Sequence, residues 1–418
     1  MHFRVLITAS LLALAGCHLH SDPPGEAPSG VTVAPGEGLV TVTWNRDPEL
    51  TYWIFYQAGS SVAPAAPGVP LIFGAIPPQV VAGLTNETPY AFVMNATRGD
   101  SKAGPSSPVV VKTPRLAGAE WVSGTPLGGT TPQKNLNGIA FSGSRLVVVG
   151  DSATIFAGDY NYTSITPPGV TAWMPATSIP VSFTANLSAV TFSGQFVALG
   201  IDSSILTSAD GLTWTSATTI IPPGGPNMNS IAFGAGVYVA VGDAGSIFTS
   251  PDLVNWTQAF ASPPNANDLF GVFFLNNVFV ATGAGGTLLT SSNGNAWAIV
   301  QGLGTASALR GAAYSASATG AHYVVVGDGG TIVTSSDGTN WTTTTLSSVP
   351  NLRSVTSGGA LGTRFLAVGL DGAVVFSDDG THWSPPSVSP GSAHLARVIF
   401  TPAMYVAVGE TGTNAFSK

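Results

Sequence analysis

Short hydrophobic runs, separated by turns rich in Gly, Asp, Asn, Ser and Pro, make up most of the chain. Runs of this length, with many β-branched and aromatic residues, predict β-strands, and no convincing helical pattern follows the first residues. Up to about residue 114 the runs alternate apolar with polar positions. Beyond it many runs are almost continuously apolar, such as Val237–Val241, which is typical of strands buried on both faces. The pattern therefore predicts an all-β chain with two different β regions.

The N-terminus carries an export signal. Arg4 precedes an apolar segment, Val5–Ala15, that is too short to span a bilayer and that suits a signal peptide. The following Gly16-Cys17 completes a motif that resembles the lipobox of bacterial lipoproteins, which implies cleavage before Cys17 and its acylation. Cys17 is the only cysteine, so it has no intramolecular disulfide partner. The alternative is an ordinary signal peptide that happens to contain a cysteine. We predict a signal peptide over 1–17 and a Pro-rich flexible tether over 18–28.

The next region, residues 29–114, contains short alternating runs bounded by turn residues, which predict a β-sandwich. Trp44 in the run VTVTW, the segment Leu84–Tyr90 and the closing VVVKTP resemble the buried tryptophan, the tyrosine corner and the last strand of fibronectin type III domains. The predicted strands are Gly30–Ala34, Leu39–Trp44, Tyr52–Gln57, Val69–Phe73, Gln79–Ala82, Tyr90–Asn95 and Pro108–Lys112.

A tripeptide in this region, Arg98-Gly99-Asp100, matches the integrin-binding loop of animal fibronectin. A tight turn between strands favours Gly and Asp for local reasons, and a three-residue motif has a high rate of chance matches. We therefore interpret it as a turn and keep integrin binding as the alternative.

Residues 115–418 repeat themselves with a period of 41 to 44 residues, measured between successive tryptophans. Each copy predicts four strands, which indicates the blades of a β-propeller. The last copy stops before its tryptophan, and Glu120–Gly124, which contains Trp121, is the candidate for its missing strand. We predict seven blades, with the last closed by this N-terminal strand; the alternative is an open stack of repeats. The tryptophans of the repeats are Trp173, Trp214, Trp256, Trp297, Trp341 and Trp383.

The turn before the repeat tryptophan has the pattern S-x-D-G-x-x-W at Asp210, Asp337 and Asp379. It resembles the Asp-box (BNR-like) repeat of sialidases, and the whole repeat is similar to the propeller of photosystem II assembly factors. In such a turn the Asp and Ser side chains satisfy backbone N–H groups and Gly takes a positive φ. We therefore predict a structural role for these residues and not a catalytic one.

Composition limits the possible functions. Only 8% of residues are charged, the net charge is -8, and the 13 Lys and Arg residues form no basic cluster, so nucleic-acid binding is not expected. Beyond residue 115 the only glutamates are Glu120 and Glu410, which leaves no dedicated base for a sialidase-like enzyme. No G-x-S-x-G elbow, H-E-x-x-H motif or phosphate loop is present. We predict no catalytic residue, no metal and no cofactor.

Three arginines are the candidate ligand-binding residues. Arg310 and Arg353 follow a leucine at the same repeat position, and Arg397 lies near that position in the next copy. We expect them at one mouth of the propeller channel, where they would grip a carboxylate or a sugar acid. In the alternative they form ion pairs with acids of the neighbouring turns. Those acids are Asp151, Asp202, Asp243, Asp328, Asp371 and Glu410.

These features together predict an exported lipoprotein, held to a membrane by its lipid anchor, that binds an unknown protein or glycan through the loop face of the propeller. His18 follows Cys17 where an inner-membrane retention signal has Asp, so we expect the outer membrane or cell surface. Two other functions stay open, a sialidase-like carbohydrate-active enzyme and an assembly factor for a membrane complex.

Overall fold

The computed structural model describes residues 22–36, 38–64, 66–114, 118–128, 133–161, 169–181, 183–217, 220, 225–262, 266–316, 320–359, 364–386, 388–401 and 404–417. Cys17 and the predicted signal peptide lie outside these ranges. The described residues divide into two compact units, one with the residues up to 33, 42–79 and 89–112, and the other with 34–41, 80–88 and the residues from 113 onward. No described helix is long and apolar enough to cross a membrane.

The all-β prediction is confirmed, because every regular element of the described ranges is a strand apart from short 3-10 turns. The turns follow the second strand of several repeats. They are Asp243–Gly245, Ala284–Gly286, Asp328–Gly330, Leu370–Gly372 and Glu410–Gly412.

The N-terminal strands form two sheets, with the strand orders β1-β2-β5 and β4-β3-β6-β7. Alternation of apolar and polar residues determines the buried face, so that Val40 and Val42 of β2 are fully buried while their neighbours are partly exposed. Trp44 directly follows β2, and its ring lies 5.3 Å from the ring of Tyr52. The strands are β1 (Thr32–Gly36), β2 (Leu39–Thr43), β3 (Leu50–Ala58), β4 (Leu71–Ala75), β5 (Gln79–Ala82), β6 (Tyr90–Arg98) and β7 (Val110–Lys112).

From β8 onward the strands follow the sequence repeat. Five sheets have the orders β12-β11-β10-β9, β13-β14-β15-β16, β25-β26-β27-β28, β29-β30-β31 and β32-β33-β34-β8. Two further sets of strands, β17–β20 and β21–β24, are joined by a parallel pairing of β20 with β24. The strands are β8 (Trp121–Ser123), β9 (Leu136–Phe141), β10 (Arg145–Gly150), β11 (Thr154–Asn161), β12 (Gly169–Pro175), β13 (Leu187–Phe192), β14 (Phe196–Gly200), β15 (Ile205–Ser208), β16 (Thr215–Ser216), β17 (Met228–Gly234), β18 (Val237–Gly242), β19 (Ile247–Ser250), β20 (Thr257–Ser262), β21 (Leu269–Leu275), β22 (Val278–Gly283), β23 (Leu288–Ser291), β24 (Ala296–Ile299), β25 (Leu309–Tyr314), β26 (Tyr323–Gly327), β27 (Thr331–Ser335), β28 (Thr342–Thr345), β29 (Leu352–Gly358), β30 (Arg364–Gly369), β31 (Val374–Ser377), β32 (Leu395–Phe400), β33 (Tyr405–Gly409) and β34 (Asn414–Ser417).

The first strands of successive repeats lie side by side. β9 contacts β13, the series continues through β17, β21, β25 and β29 to β32, and β32 contacts β9. Hydrophobic clusters fill the space between neighbouring sheets, as where Val147 and Ala157 of one sheet pack with Phe196 and Trp214 of the next. This arrangement, with second strands buried on both faces, confirms a β-propeller.

The segment before the first repeat completes the last sheet. β8 pairs antiparallel with β34, with Val122 opposite Phe416. Trp121 is buried in a cluster with Leu366 and Tyr405, and its indole N–H donates to the carbonyl of Gly118 at 3.1 Å. Trp214 and the repeat tryptophans after it make the same bond to the residue three positions earlier. Residues 118–123 therefore supply the turn, tryptophan and strand that the last repeat lacks.

The turn before Trp214 shows why the Asp-box pattern recurs. The Oδ1 atom of Asp210 accepts hydrogen bonds from the backbone N–H groups of Leu212 and Thr213, each at 2.8 Å. Gly211 has φ of 74°, and the Trp214 indole donates to its carbonyl at 3.0 Å. The side chains thus satisfy backbone groups that the sharp turn leaves without a strand partner.

The same bonds recur in the later turns. Asn293 replaces Asp in one of them and accepts from the N–H groups of Asn295 and Ala296 at 2.9 and 3.1 Å, so the turn needs an acceptor oxygen and not a charge. The turns of this type run from Asp252 to Trp256, from Asn293 to Trp297, from Asp337 to Trp341 and from Asp379 to Trp383.

Hydrogen bonding also shifts the titration of these carboxyls. The N–H groups of Thr213 and Leu212 lower the pKa of Asp210 below its ordinary value. At Asp379 burial alone would raise the pKa, but hydrogen bonds from His382 and Thr381 outweigh it and the pKa is lowered. A carboxyl with a lowered pKa stabilises the fold above its unfolded-state pKa, and this stabilisation is lost as the pH falls through the folded-state value.

We predict that Asp210→Ala costs about 1 kcal/mol of unfolding free energy at pH 7, because it leaves the N–H groups of Leu212 and Thr213 without their acceptor. Asp210→Asn is the matched control and costs less, because Asn293 shows that an amide oxygen suffices. The difference between wild type and Asp210→Asn should shrink as the pH falls below about 4. Urea unfolding at pH 7 and pH 3 measures both effects, and equal losses for the two variants at pH 7 would contradict this account.

Candidate functional site

Each first strand of the propeller begins with a buried Leu or Met, and the next residue forms a β-bulge. The pairing with the second strand skips this residue, which we call the bulge position. Bulges at the ends of strands redirect a side chain out of the sheet. All residues at this position line one cavity of about 360 Å³, here called the mouth cavity. They are Asn137, Ser188, Asn229, Phe270, Arg310, Arg353 and Ala396.

The first residue of the turn after each second strand, here called the turn position, lines the same cavity in four repeats. In three repeats it pairs with the bulge position of its own sheet. Asn137 donates from Nδ2 to Asp151 at 2.8 Å, and Asn229 donates to Asp243 at 3.0 Å. These bonds neutralise no charge, but they fix the direction of both side chains. The residues at the turn position are Asp151, Ile201, Asp243, Ala284, Asp328, Leu370 and Glu410.

Arg310 makes the strongest such pair. Its Nε and Nη2 atoms donate to the two carboxylate oxygens of Asp328 at 2.6 and 2.7 Å, and its guanidinium lies 4.7 Å from the ring centre of Phe270. Both partners of the ion pair are mostly buried, with side chains 20% and 27% exposed. For Arg310 the structure therefore favours the ion-pair alternative raised from the sequence.

Arg353 differs because its sheet has Leu370 at the turn position. It makes no hydrogen bond or ion pair to any residue that the structure describes. Burial, and then the charge of Arg310, lower the pKa of Arg353, while the charges of Asp328 and Glu410 act in the opposite direction. Arg353 is therefore a half-buried cation whose donors point to no acceptor among the described residues.

Arg397 lies in the same cavity but one residue beyond the bulge position, which Ala396 holds. Its Nη1 atom donates to the carbonyl of Ala396 at 3.0 Å. Glu410, at the turn position of this sheet, has no bulge partner, and its carboxylate lies 4.0 Å from Nε2 of His394. The structure thus brings together the three arginines that the sequence singled out.

The acids of the neighbouring turns differ in their positions. Of the six, Asp151 and Glu410 are the ones among the described residues that line the mouth cavity. Ile201 and Leu370 hold the turn position in two sheets, so Asp202 and Asp371 come one residue later. Asp202 accepts a hydrogen bond from the N–H of Ser204 within its own turn, and the side chain of Asp371 is 72% exposed.

Other residues share the bulge position with Arg310 and Arg353, and none of them was predicted as a site residue. Asn137, Asn229 and Phe270 all follow the Leu or Met that starts a repeat, so their alignment with Arg310 was visible in the sequence. The bulge that turns them toward the mouth was not, because it depends on the register between two strands.

The remaining candidate features lie outside the mouth cavity. The Arg98-Gly99-Asp100 segment ends β6 in a tight turn, in which the N–H of Arg98 donates to Oγ of Ser101 at 2.9 Å. Within the described part of the chain, no group of three or more His, Cys, Asp or Glu side chains is arranged to hold a metal ion.

The two kinds of arginine should respond differently to substitution. Arg310→Ala leaves the carboxylate of Asp328 half-buried without its partner, so we predict a loss of about 1–2 kcal/mol of unfolding free energy. Arg353→Ala breaks no ion pair, so we predict a change within about 0.5 kcal/mol. Urea unfolding of the two single variants tests the contrast, and a loss for Arg353→Ala as large as that for Arg310→Ala would contradict it.

Comparisons with known proteins agree on the fold. A family model described as DUF6242 beta propeller domain matches residues 250–394, and no curated protein matches the chain. Similar solved structures include YCF48 bound to D1 peptide (19% identity, 71% of this chain and 94% of that chain, TM-score 0.55) and YCF48 from Cyanidioschyzon merolae (17%, 72% and 98%, TM-score 0.53). A catalytically inactive virginiamycin B lyase from Staphylococcus aureus with Quinupristin is also similar (13%, 72% and 99%, TM-score 0.58). At these identities the likeness shows the β-propeller fold.

Proposed function

We propose that this protein is an exported lipoprotein that acts as a non-catalytic binding or scaffold module, and that it recognises an acidic group on a protein or glycan at the mouth of the propeller. The observation that carries the proposal is Arg353. It is a half-buried guanidinium in an open cavity, and it forms no ion pair with any described residue. A planar guanidinium suits a carboxylate or a sugar acid, because its N–H groups match two oxygens at once.

The finer architecture is part of the same proposal. We infer a fibronectin type III-like domain over 29–114 and a seven-bladed propeller over 115–418. The two N-terminal strand orders, with a buried tryptophan after β2, support the first. The pairing of β8 with β34 and the contact of β32 with β9 support the second. A closed ring holds the bulge positions of all repeats around one mouth, which a single rigid binding surface requires.

The membrane anchor rests on the sequence. Acylation of Cys17 would attach the chain to a membrane surface without a spanning helix, and the Pro-rich residues that follow would form the tether. In this proposal the first domain is a spacer that displays the propeller, at the outer membrane or the cell surface.

The residues of the mouth cavity favour binding over catalysis. A sialidase-like mechanism needs a Tyr–Glu nucleophile pair beside an arginine triad. No tyrosine is among the described residues that line the cavity, and Arg310 is already engaged by Asp328. The convergence of three arginines is the one observation that favours the enzyme alternative, and release of sialic acid from a fluorogenic sialoside tests it directly.

An assembly factor for a membrane complex is the second candidate. It is favoured by the likeness to YCF48, one structure of which is bound to a D1 peptide. In that case the acidic group at the mouth belongs to a protein, and co-purification of one membrane-complex subunit from the native cell membrane separates this function from glycan binding.

The test of the proposed function uses the form without residues 1–17 on arrays of glycans and of surface proteins. We expect wild-type protein to retain acidic members of one array, and Arg353→Gln to lower that signal at least tenfold. Arg46→Gln is the matched control, because Arg46 is an exposed arginine of the other compact unit and its replacement changes the net charge equally. An equal loss in both variants, or no loss in Arg353→Gln, would sink the proposal.

The anchor has its own test. Cys17→Ser should move the exported protein from the membrane fraction to the soluble fraction, because a serine cannot be acylated at the lipobox. Fractionation of cells that express wild type or Cys17→Ser measures this. Retention of the variant in membranes would mean that something other than a lipid holds the chain there.

A further inference from the structure

The last repeat differs from the others in the size of the residue that follows the bulge position. The residue after the bulge position is Gly, Ala or Ser in every copy except the last, which has Arg397. The small residues are Gly138, Ala189, Ser230, Gly271, Gly311 and Ser354.

The small residues are needed because this position faces the first strand of the next sheet at close range. A Cβ on Gly311 would lie 2.9 Å from the backbone N of Val355, which is closer than carbon and nitrogen normally approach. Where the residue is serine, its Oγ accepts a hydrogen bond from the corresponding N–H group, as Ser230 Oγ does from the N–H of Val272 at 3.2 Å. The position therefore lies against the wall of the channel, beside backbone N–H groups.

Arg397 puts a long cation at this place. It is the one described residue that lines both the mouth cavity and a second cavity of about 380 Å³, which the first strands of the repeats enclose. Of its guanidinium donors, Nη1 is bonded to the carbonyl of Ala396, and no described carboxylate lies within ion-pair distance. Arg397 thus stands at the boundary between the mouth and the interior of the channel.

The electrostatics of this place are unfavourable for a cation. Burial, and then the charges of Arg353 and Arg310, lower the pKa of Arg397 to about 10. Asp328 forms an ion pair with Arg310, but no described acid lies within ion-pair distance of Arg353 or Arg397. A partly buried cation without an ion-pair partner is stabilised by an anion that compensates its charge.

We propose that the channel binds a small free oxyanion of the carboxylate, phosphate or sulfate type, held by Arg397 from the inside and by Arg353 from the mouth. Such an anion accepts hydrogen bonds from planar guanidinium groups in pairs, and the cavity of about 360 Å³ admits it together with water. This inference shares Arg353 and the mouth cavity with the proposed function, but it goes beyond that function because a free solute fills the site without any macromolecular partner.

The decisive variant is Arg397→Ser, which restores the residue of Ser230 and Ser354. With only sodium chloride present, it should melt at a higher temperature than wild type, because it removes an uncompensated cation. Sodium acetate, phosphate or sulfate at matched ionic strength should raise the Tm of wild type by roughly 5 °C near 100 times the dissociation constant, and should raise the Tm of Arg397→Ser by less than half as much. Isothermal titration calorimetry with the same salts should show binding to wild type and none to Arg397→Ser.

The control is Arg46→Ser, which should respond to the three oxyanion salts as wild type does. If Arg397→Ser melts below wild type in chloride and the oxyanions raise both Tm values equally, Arg397 is structural and the proposal is overturned. Loss of oxyanion binding with array binding intact would leave the proposed function standing and assign the site to a free anion. In Arg397→Ser, loss of array binding with oxyanion binding intact would overturn the free-anion proposal and assign Arg397 to the recognition of a protein or glycan.

Discussion

The structure depends on the pairing of two strands that are far apart in the chain, β8 and β34. Each propeller sheet buries both faces against its neighbours, so an unclosed ring would leave an apolar face and an unpaired strand edge in water. The β8–β34 pairing completes the last sheet, and Trp121 fills its core beside Tyr405. The cost is the entropy of closing nearly the whole repeat region into one loop, but this cost rises only slowly with loop length. Burial of the apolar residues of the last sheet offsets this entropy cost.

Closure also creates the site. Once the first strands surround one axis, their bulge positions meet at one mouth, although they are about forty residues apart in sequence. In several sheets the bulge residue is paired with the turn residue, as Arg310 is with Asp328. The sheets of Arg353 and Arg397, which are adjacent, have no such pairing. One sector of the mouth therefore holds two arginines that have no ion-pair partner among the described residues.

The repeat pattern was sufficient to predict the strands, the tryptophan turns and the segment that pairs with the last repeat. Local chemistry determines these features, because a turn that needs an acceptor oxygen selects Asp210 or Asn293 wherever it recurs. Acids of equivalent turns are less regular. Asp151 follows its strand directly, whereas Asp202 and Asp371 lie one residue further along the turn.

The sequence by itself determined the all-β class, the propeller repeat, the structural role of the Asp-box turns and the choice of three arginines as candidates, because each follows from residue types at fixed local spacing. Only the tertiary structure decided which arginine is neutralised. The partner of Arg310, the lack of an ion-pair partner for Arg353 among the described residues and the place of Arg397 at the channel wall depend on strand register and on neighbouring sheets. Electrostatic balance is a property of distances through space, and the order of residues along the chain does not contain it.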